Sequence, residues 1–195
     1  MSDSRRQKLK RAYAADELAT VVALGEIILR SNPDDGPILM EVGDCLAAMA
    51  QYDRAKEYLK RALQLAPDAF RHQVLWRLGK LCEHRGELLD AAEWYKEAHQ
   101  CLPEDATSLI FCGGVLASLG QLDEAEAAHR QATLCSEGCI DEAYHNLGLI
   151  YRSQGRLEEA FDSFAIAIEM DPEYQEAKIA SADVQKAMEV VRSDA

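Results

Sequence analysis

Residues 144–172 read YHNLGLIYRSQGRLEEAFDSFAIAIEMDP, and the fold turns on the two glycines inside this stretch. Tyr144, Leu147, Gly148 and Tyr151 fall at helical spacing, as do Leu157, Ala160, Phe164, Ala167 and Ile168. The spacing predicts one helix over 141–154 and a second over 157–170. Gly155 lies between them, where a left-handed residue closes a turn at little cost. Pro172 stops the second helix, because proline lacks the amide donor and restricts the residue before it. Gly148, by contrast, sits mid-helix between leucines, where glycine costs roughly 1 kcal/mol against alanine. That loss is explained if Gly148 and Ala160 are small because two antiparallel helices must come close, so that neighbouring large side chains pack better.

The same register runs along the chain. Glycines stand at 43, 79, 113 and 148, at spacings of 36, 34 and 35. Ala55, Ala91, Ala125 and Ala160 follow with the same spacings, as do Ala62, Ala98, Ala132 and Ala167. A second set, Gly86, Gly120 and Gly155, has Ala50 in its place in the first unit. Pro33, Pro67, Pro103 and Pro172 end units. Several residue types in one register, at a period near 35, mark a repeat protein built of helical hairpins.

These residues resemble the tetratricopeptide repeat family, whose signature is W-x2-L-G-x2-Y, then A-x3-F, then P. Here the matching positions are Tyr144, Leu147, Gly148 and Tyr151, then Ala160 and Phe164, then Pro172. An upstream unit has Leu75, Leu78, Gly79 and Cys82, then Ala91 and Tyr95, then Pro103. The first full unit has Leu39, Val42, Gly43 and Leu46, then Ala55 and Leu59, then Pro67. The third departs most. It has Leu109, Cys112, Gly113 and Leu116, then Ala125 with His129 at the aromatic position, and Glu137 where the proline belongs. A one-residue insertion near LCSEGCIDEA and a two-residue insertion near PDAFRHQ fall between units, where loops tolerate them.

The resemblance implies an all-α, right-handed α-α solenoid occupying residues 1–195 as one domain. A degenerate hairpin is expected over 2–35, repeats over 36–71, 72–105, 106–140 and 141–172, and a capping helix over 173–191. Ala177, Ala180, Val184 and Met188 of that last helix pack back, covering a repeat that would otherwise expose its core. Eleven helices are expected.

The resemblance also implies where function sits. In this family the first helices line a concave face that binds extended peptides or another protein's helix. The expected partner-binding set is Met40, Asp44, Gln73, Trp76, Arg77, Lys80, His84, Ile110, Phe111, Gly114, His145, Asn146, Leu149 and Arg152. Trp76 and Phe111 are either anchors for a partner, as aromatic residues often are, or simply packed on neighbouring helices. Gly114 removes bulk from the groove floor. Arg77, Lys80 and Arg152 offer a grip on an acidic ligand, against the default of solvated surface charge. The Lys/Asn/Arg clamp by which some relatives hold chaperone tails is absent: Met40, Asp44, Arg77, Thr107 and Phe111 occupy the equivalent places.

Composition narrows the rest. The 195 residues are 48% hydrophobic and 28% charged, with a net charge of −13. That balance suits a globular acidic protein and disfavours nucleic acid, whose affinity depends on cations neutralising phosphates. Residues 1–11 run the other way, with Arg5, Arg6, Lys8, Lys10 and Arg11 against Asp3, which leaves the remainder near −17. No apolar run is long enough to span a bilayer, and the basic start lacks the apolar core of a secretory signal. A cytoplasmic location with free thiols follows as the expectation for Cys45, Cys82, Cys101, Cys112, Cys135 and Cys139. Cys135 and Cys139, with His129 or His145, are the one candidate metal set, but zinc favours tighter C-x2-C pairs, and no metal or cofactor is expected. No phosphate loop, nucleophile elbow or zinc-protease motif is present.

The chain thus reads as a non-enzymatic scaffold for a protein or peptide partner. Two alternatives stand beside it. One is a secretion-type chaperone holding a hydrophobic client. The other is a self-assembling structural protein, a homo-oligomer whose basic first hairpin docks on the acidic flank of a neighbour.

Overall fold

A computed structural model describes residues 2–193, which form eleven helices. They are α1 (Ser2–Ala14), α2 (Leu18–Ser31), α3 (Gly36–Ala48), α4 (Tyr52–Leu65), α5 (Asp68–His84) and α6 (Leu88–Cys101). Then follow α7 (Thr107–Ser118), α8 (Leu122–Ala132), α9 (Ile140–Ser153), α10 (Leu157–Met170) and α11 (Gln175–Ser193). By internal packing the chain divides into two units, Met1–Cys101 and Leu102–Ala195.

In the first unit each helix packs on the next, and α3 also meets α5. Leu9 and Ala12 of α1 are buried and join a core that runs through Val21, Leu39, Val42, Leu59 and Leu78. A buried acid ties the first hairpin to the repeat after it. The Asp35 side chain accepts from the Ile38 amide (3.5 Å), capping α3, and Pro37 lies in that helix's first turn. It also accepts from Asn32 (3.2 Å) and pairs with the Arg6 guanidinium of α1. The turn between α3 and α4 holds Ala50 at φ 58, where Gly86, Gly120 and Gly155 occupy the equivalent turns at φ 74–75. Ala50 bears a steric cost of about 1 kcal/mol that glycine avoids.

The two-residue insertion near PDAFRHQ is helical, where a loop was expected. α5 begins at Asp68, directly after Pro67, and has 17 residues against 13 in α3. Asp68 in the first turn suits the helix dipole, and nothing in DAFRHQ breaks a helix. The insertion and the residues beside it therefore lengthen α5 by about a turn relative to α3, and that turn carries Phe70 into solvent, 54% exposed.

In the second unit α7 packs on α8 and α9, and α9 on α10 and α11. Gly148 is a point of contact: a β-carbon there would lie 2.5 Å from Phe164 Cε1. The ring of Phe164 is fully buried among Leu147, Tyr151, Ala160, Ala180 and Val184. The same approach recurs between Gly113 and His129 in this unit, and between Gly79 and Tyr95 in the first. Ala177, Ala180 and Val184 of α11 are buried and Met188 is half-buried beside them.

The segment 133–139, expected as a plain loop, is paired to residues 104–106. The Ala106 amide donates to Glu137 O (3.0 Å), and the Ser136 and Glu137 amides donate to Glu104 O (3.1 and 3.0 Å). Gly138 adopts φ 92, and a β-carbon on it would fall 2.6 Å from Asp105 Oδ1. That oxygen already accepts from the Thr107 amide and hydroxyl (3.0 and 2.7 Å) at the start of α7. Gly138→Ala is therefore expected to cost about 1–3 kcal/mol, since the backbone is strained for any L-residue and the Asp105 carboxylate must move. Hydrogen exchange of the Ala106 amide should quicken with it. An unchanged urea midpoint with unchanged exchange at Ala106 would show the pairing to be dispensable.

Candidate partner-binding site

The expected site residues fall into two sets, one in each unit. In the first, Met40 and Asp44 lie one turn apart on α3, and Gln73, Arg77, Lys80 and His84 follow at helical spacing on α5, with Trp76 beside Arg77. All are half-buried except His84, which is exposed. α3 packs on α5, and the two helices are joined by Arg77 Nε donating to Asp44 Oδ2 at 2.8 Å. Arg77 also donates to Gln73 O (3.1 Å). Burial pushes the Asp44 carboxyl above its ordinary value, and the charge and hydrogen bond of Arg77 oppose that. Lys80 pairs with Glu83 at 3.5 Å, and Glu83 accepts from the Tyr95 hydroxyl at 2.8 Å.

Glu41 stands beside Met40 on α3. Its Oε2 is buried and accepts no hydrogen bond. Burial raises its carboxyl, Lys10 opposes the rise, and Asp35 and Asp44 add to it. Tyr13 of α1 lies in the same field: burial and Asp44 raise its phenol. The face of α3 and α5 is thus mixed, with apolar Met40 and Trp76 set among acids that are only partly compensated.

In the second unit Gly114 is exposed, and a β-carbon on it would meet nothing within 4 Å. Phe111 is half-buried. Ile110 departs from expectation. It is 6% exposed and packed with Ala106, Leu109, Ala132 and Ala143, so it is core and not groove surface. His145 of α9 stacks on rings of its own chain, 5.7 Å from Phe164 and 4.9 Å from Tyr174, and burial lowers its imidazole pKa. Asn146 is half-buried beside it. Leu149 packs against the Phe164 cluster. Arg152 pairs with Asp183 of α11 at 3.3 Å.

The expected grip on an acidic ligand is accordingly revised. Arg77, Lys80 and Arg152 each already pair with an acid of the chain, so a ligand carboxylate would share them with that acid. The Cys135 and Cys139 set does not form a metal-binding group either. Among the described residues the one group with ligand atoms close enough is Cys82, Glu87 and Asp90. There Lys56 (3.5 Å) and Arg85 (2.8 Å) already neutralise Glu87, and burial raises the Cys82 thiol. Cys82 and Cys112 are buried, and among the described residues no disulfide joins any of the six cysteines.

Helical hairpins that repeat at one register, with a small residue on the first helix facing a large one on the second, define an α-α repeat protein. Tetratricopeptide repeat family models match residues 43–106 and 141–174, and the chain belongs to that family. Human tetratricopeptide repeat protein 7A is 27% identical over 175 residues, covering 87% of this chain and 20% of its own length. Human protein O-mannosyl-transferase TMTC1 is 30% identical over 134 residues, covering 69% of this chain and 15% of its own length. The chain therefore spans a fifth or less of these relatives. Among solved structures MamA superposes with a TM-score of 0.74 at 20% identity, covering 86% of this chain and 96% of MamA. YrrB, described as a TPR protein with an unusual peptide-binding site, gives 0.68 at 20% identity, covering 89% and 88%. These similarities carry the fold. Among the described residues no helix is long and apolar enough to cross a membrane.

Proposed function

We propose that this chain is a non-enzymatic interaction module, acting as one domain in the cytoplasm, that binds a segment of a partner protein on its first-helix faces. The observation that carries the reading is the face of α3 and α5. Met40, Gln73 and Trp76 are half-exposed there around an Asp44–Arg77 pair that locks the two helices together. Large side chains held on rigid helices are what a partner segment needs as anchors. The peptide-binding site named for YrrB, a structure of the same fold, supports a peptide as the ligand. The match to TMTC1 supports no transferase activity, because it spans only 15% of that enzyme. In the second unit Gly114, Phe111, His145, Asn146, Leu149 and Arg152 are the corresponding candidates, with Ile110 removed.

The test is a paired capture from cells that make the protein, read by mass spectrometry. One bait is the native chain, and the other carries Met40→Glu and Trp76→Ala with helicity confirmed by circular dichroism. A partner recovered with the first is expected to fall by roughly tenfold with the second, the effect of losing an interface anchor. Equal recovery on both baits would overturn the assignment. In place of one partner, a secretion-type chaperone holding hydrophobic clients would recover several unrelated chains. Self-assembly would return the protein itself, lost on deleting residues 1–15.

A further inference from the structure

The turn added to α5 walls one side of an apolar concavity in the first unit. Pro37 and Met40 of α3, Leu65 of α4, and Pro67, Phe70 and Val74 line it, and its volume is about 450 Å³. That volume is within the range of pockets that hold ligands. Phe70 and Leu65 remain 54% and 41% exposed. Two large apolar side chains left open around one hollow mark a surface that gains by being covered.

Charge says what covers it. The one charged residue in the lining is an acid, Asp34. Next to Met40 on α3 stands Glu41, whose buried Oε2 accepts no hydrogen bond. The neighbouring cations are for the most part engaged. Arg6 is held by Asp35, Arg77 by Asp44, Arg61 by Pro33 O (2.8 Å) and Arg71 by Leu63 O (3.4 Å). Lys10, on the exposed side of α1, and Arg6 are the cations that oppose the rise of the Glu41 carboxyl that burial causes. The chain as a whole carries −13, so its field favours a cationic approach.

We propose that this concavity is the anchor pocket for the partner segment, taking one bulky apolar side chain with a Lys or Arg close by it that reaches Asp34. The inference rests on the reading that the α3–α5 face binds a partner segment, and it adds the chemistry of that segment. The extra turn of α5 is then a recognition element, since without it the hollow has no Phe70 wall.

The probe is a library of random short peptides displayed on phage and selected against the full chain, followed by fluorescence anisotropy with an enriched peptide. The enriched sequences are expected to share Leu, Met or Phe near Lys or Arg. Phe70→Glu, an exposed position that leaves the core intact, is expected to weaken binding by roughly tenfold or more, and Met40→Gln to weaken it less. Trp76→Ala separates the two readings. Binding lost with Trp76→Ala but kept with Phe70→Glu would overturn the pocket while leaving the face. Enrichment of acid-flanked sequences would also overturn the pocket. No enrichment, or binding indifferent to all three changes, would sink both. A concentration-dependent rise in mass by light scattering, abolished by Phe70→Glu, would mean that a second copy fills the hollow in place of a partner.

Discussion

Phe164→Ala is expected to lower stability by about 3–5 kcal/mol, the cost of emptying a large aromatic seat in a core. Gly148→Val should cost a comparable amount for the opposite reason. The ring of Phe164 is fully buried, and a β-carbon on Gly148 would reach within 2.5 Å of it. The atoms met are those of a rigid ring, and that ring belongs to one buried cluster with Leu147, Tyr151, Ala180 and Val184. Overpacking of that kind costs about 1–3 kcal/mol even for one carbon. Gly148→Ala is the informative case. Helix propensity alone predicts a gain of about 1 kcal/mol, and the contact predicts a net loss. Pairing Gly148→Ala with Phe164→Leu should recover part of the loss, because the two changes share one space and do not add. Urea titration of the whole chain, followed by helical dichroism, reads all four variants. An array of repeats need not unfold in one step, so midpoints and slopes are compared together. A Gly148→Ala chain more stable than the parent would refute the contact as the reason for the glycine.

A close approach at Gly148 was legible in the sequence, but as one of Gly148 to Ala160; the structure places the Phe164 ring there, and the same pairing recurs as Gly79 with Tyr95 and Gly113 with His129. Helix boundaries were legible from glycine and proline at fixed offsets. What escaped was whatever a single helix period does not encode. The PDAFRHQ insertion looked like loop because it broke the register, yet its residues favour helix and simply lengthen α5. Ile110 lies one position from Phe111 on α7, and only the packing of α7 on α9 decides that Ile110 faces Ala143. The pairing of 104–106 with 133–139 joins segments on either side of a whole hairpin, which no local pattern reports. A signal for the ion pairs did exist. Arg77 follows Asp44 by 33 residues, and Arg156 follows Glu126 by 30, at 2.7 Å. Opposite charges about one repeat apart stack between neighbouring hairpins, and reading the chain at that offset would have shown Arg77 as already occupied.

His129→Phe is expected to stabilise the chain by about 1–2 kcal/mol at neutral pH and by about 2–3 kcal/mol more near pH 4.5. His129 occupies the seat that Tyr95 and Phe164 hold in neighbouring repeats, 1% exposed, against Gly113. Its Nδ1 is buried without a hydrogen-bond partner, a cost that a phenyl ring does not bear. The seat accepts a six-membered ring elsewhere in the same chain, so the replacement asks for no new space of a kind the fold lacks. Burial lowers the imidazole pKa from 6.5 to about 4. Between those values the unfolded chain takes up a proton that the folded chain refuses. Stability is therefore full above about pH 6.5 and falls as pH drops toward about 4. Other groups titrate in the same region and in both directions. Burial raises Glu41 and Glu142, which favours the folded state as they protonate, while hydrogen bonds from Arg156 and Arg130 hold Glu126 down, which does the reverse. Those groups are common to the parent and the variant, so the difference between their urea midpoints at pH 7, 5.5 and 4.5 isolates residue 129. A gap that widens toward low pH is the expected result. Parallel curves would mean that the imidazole takes its proton in the folded state, and that the third repeat opens at His129 more readily than its packing implies.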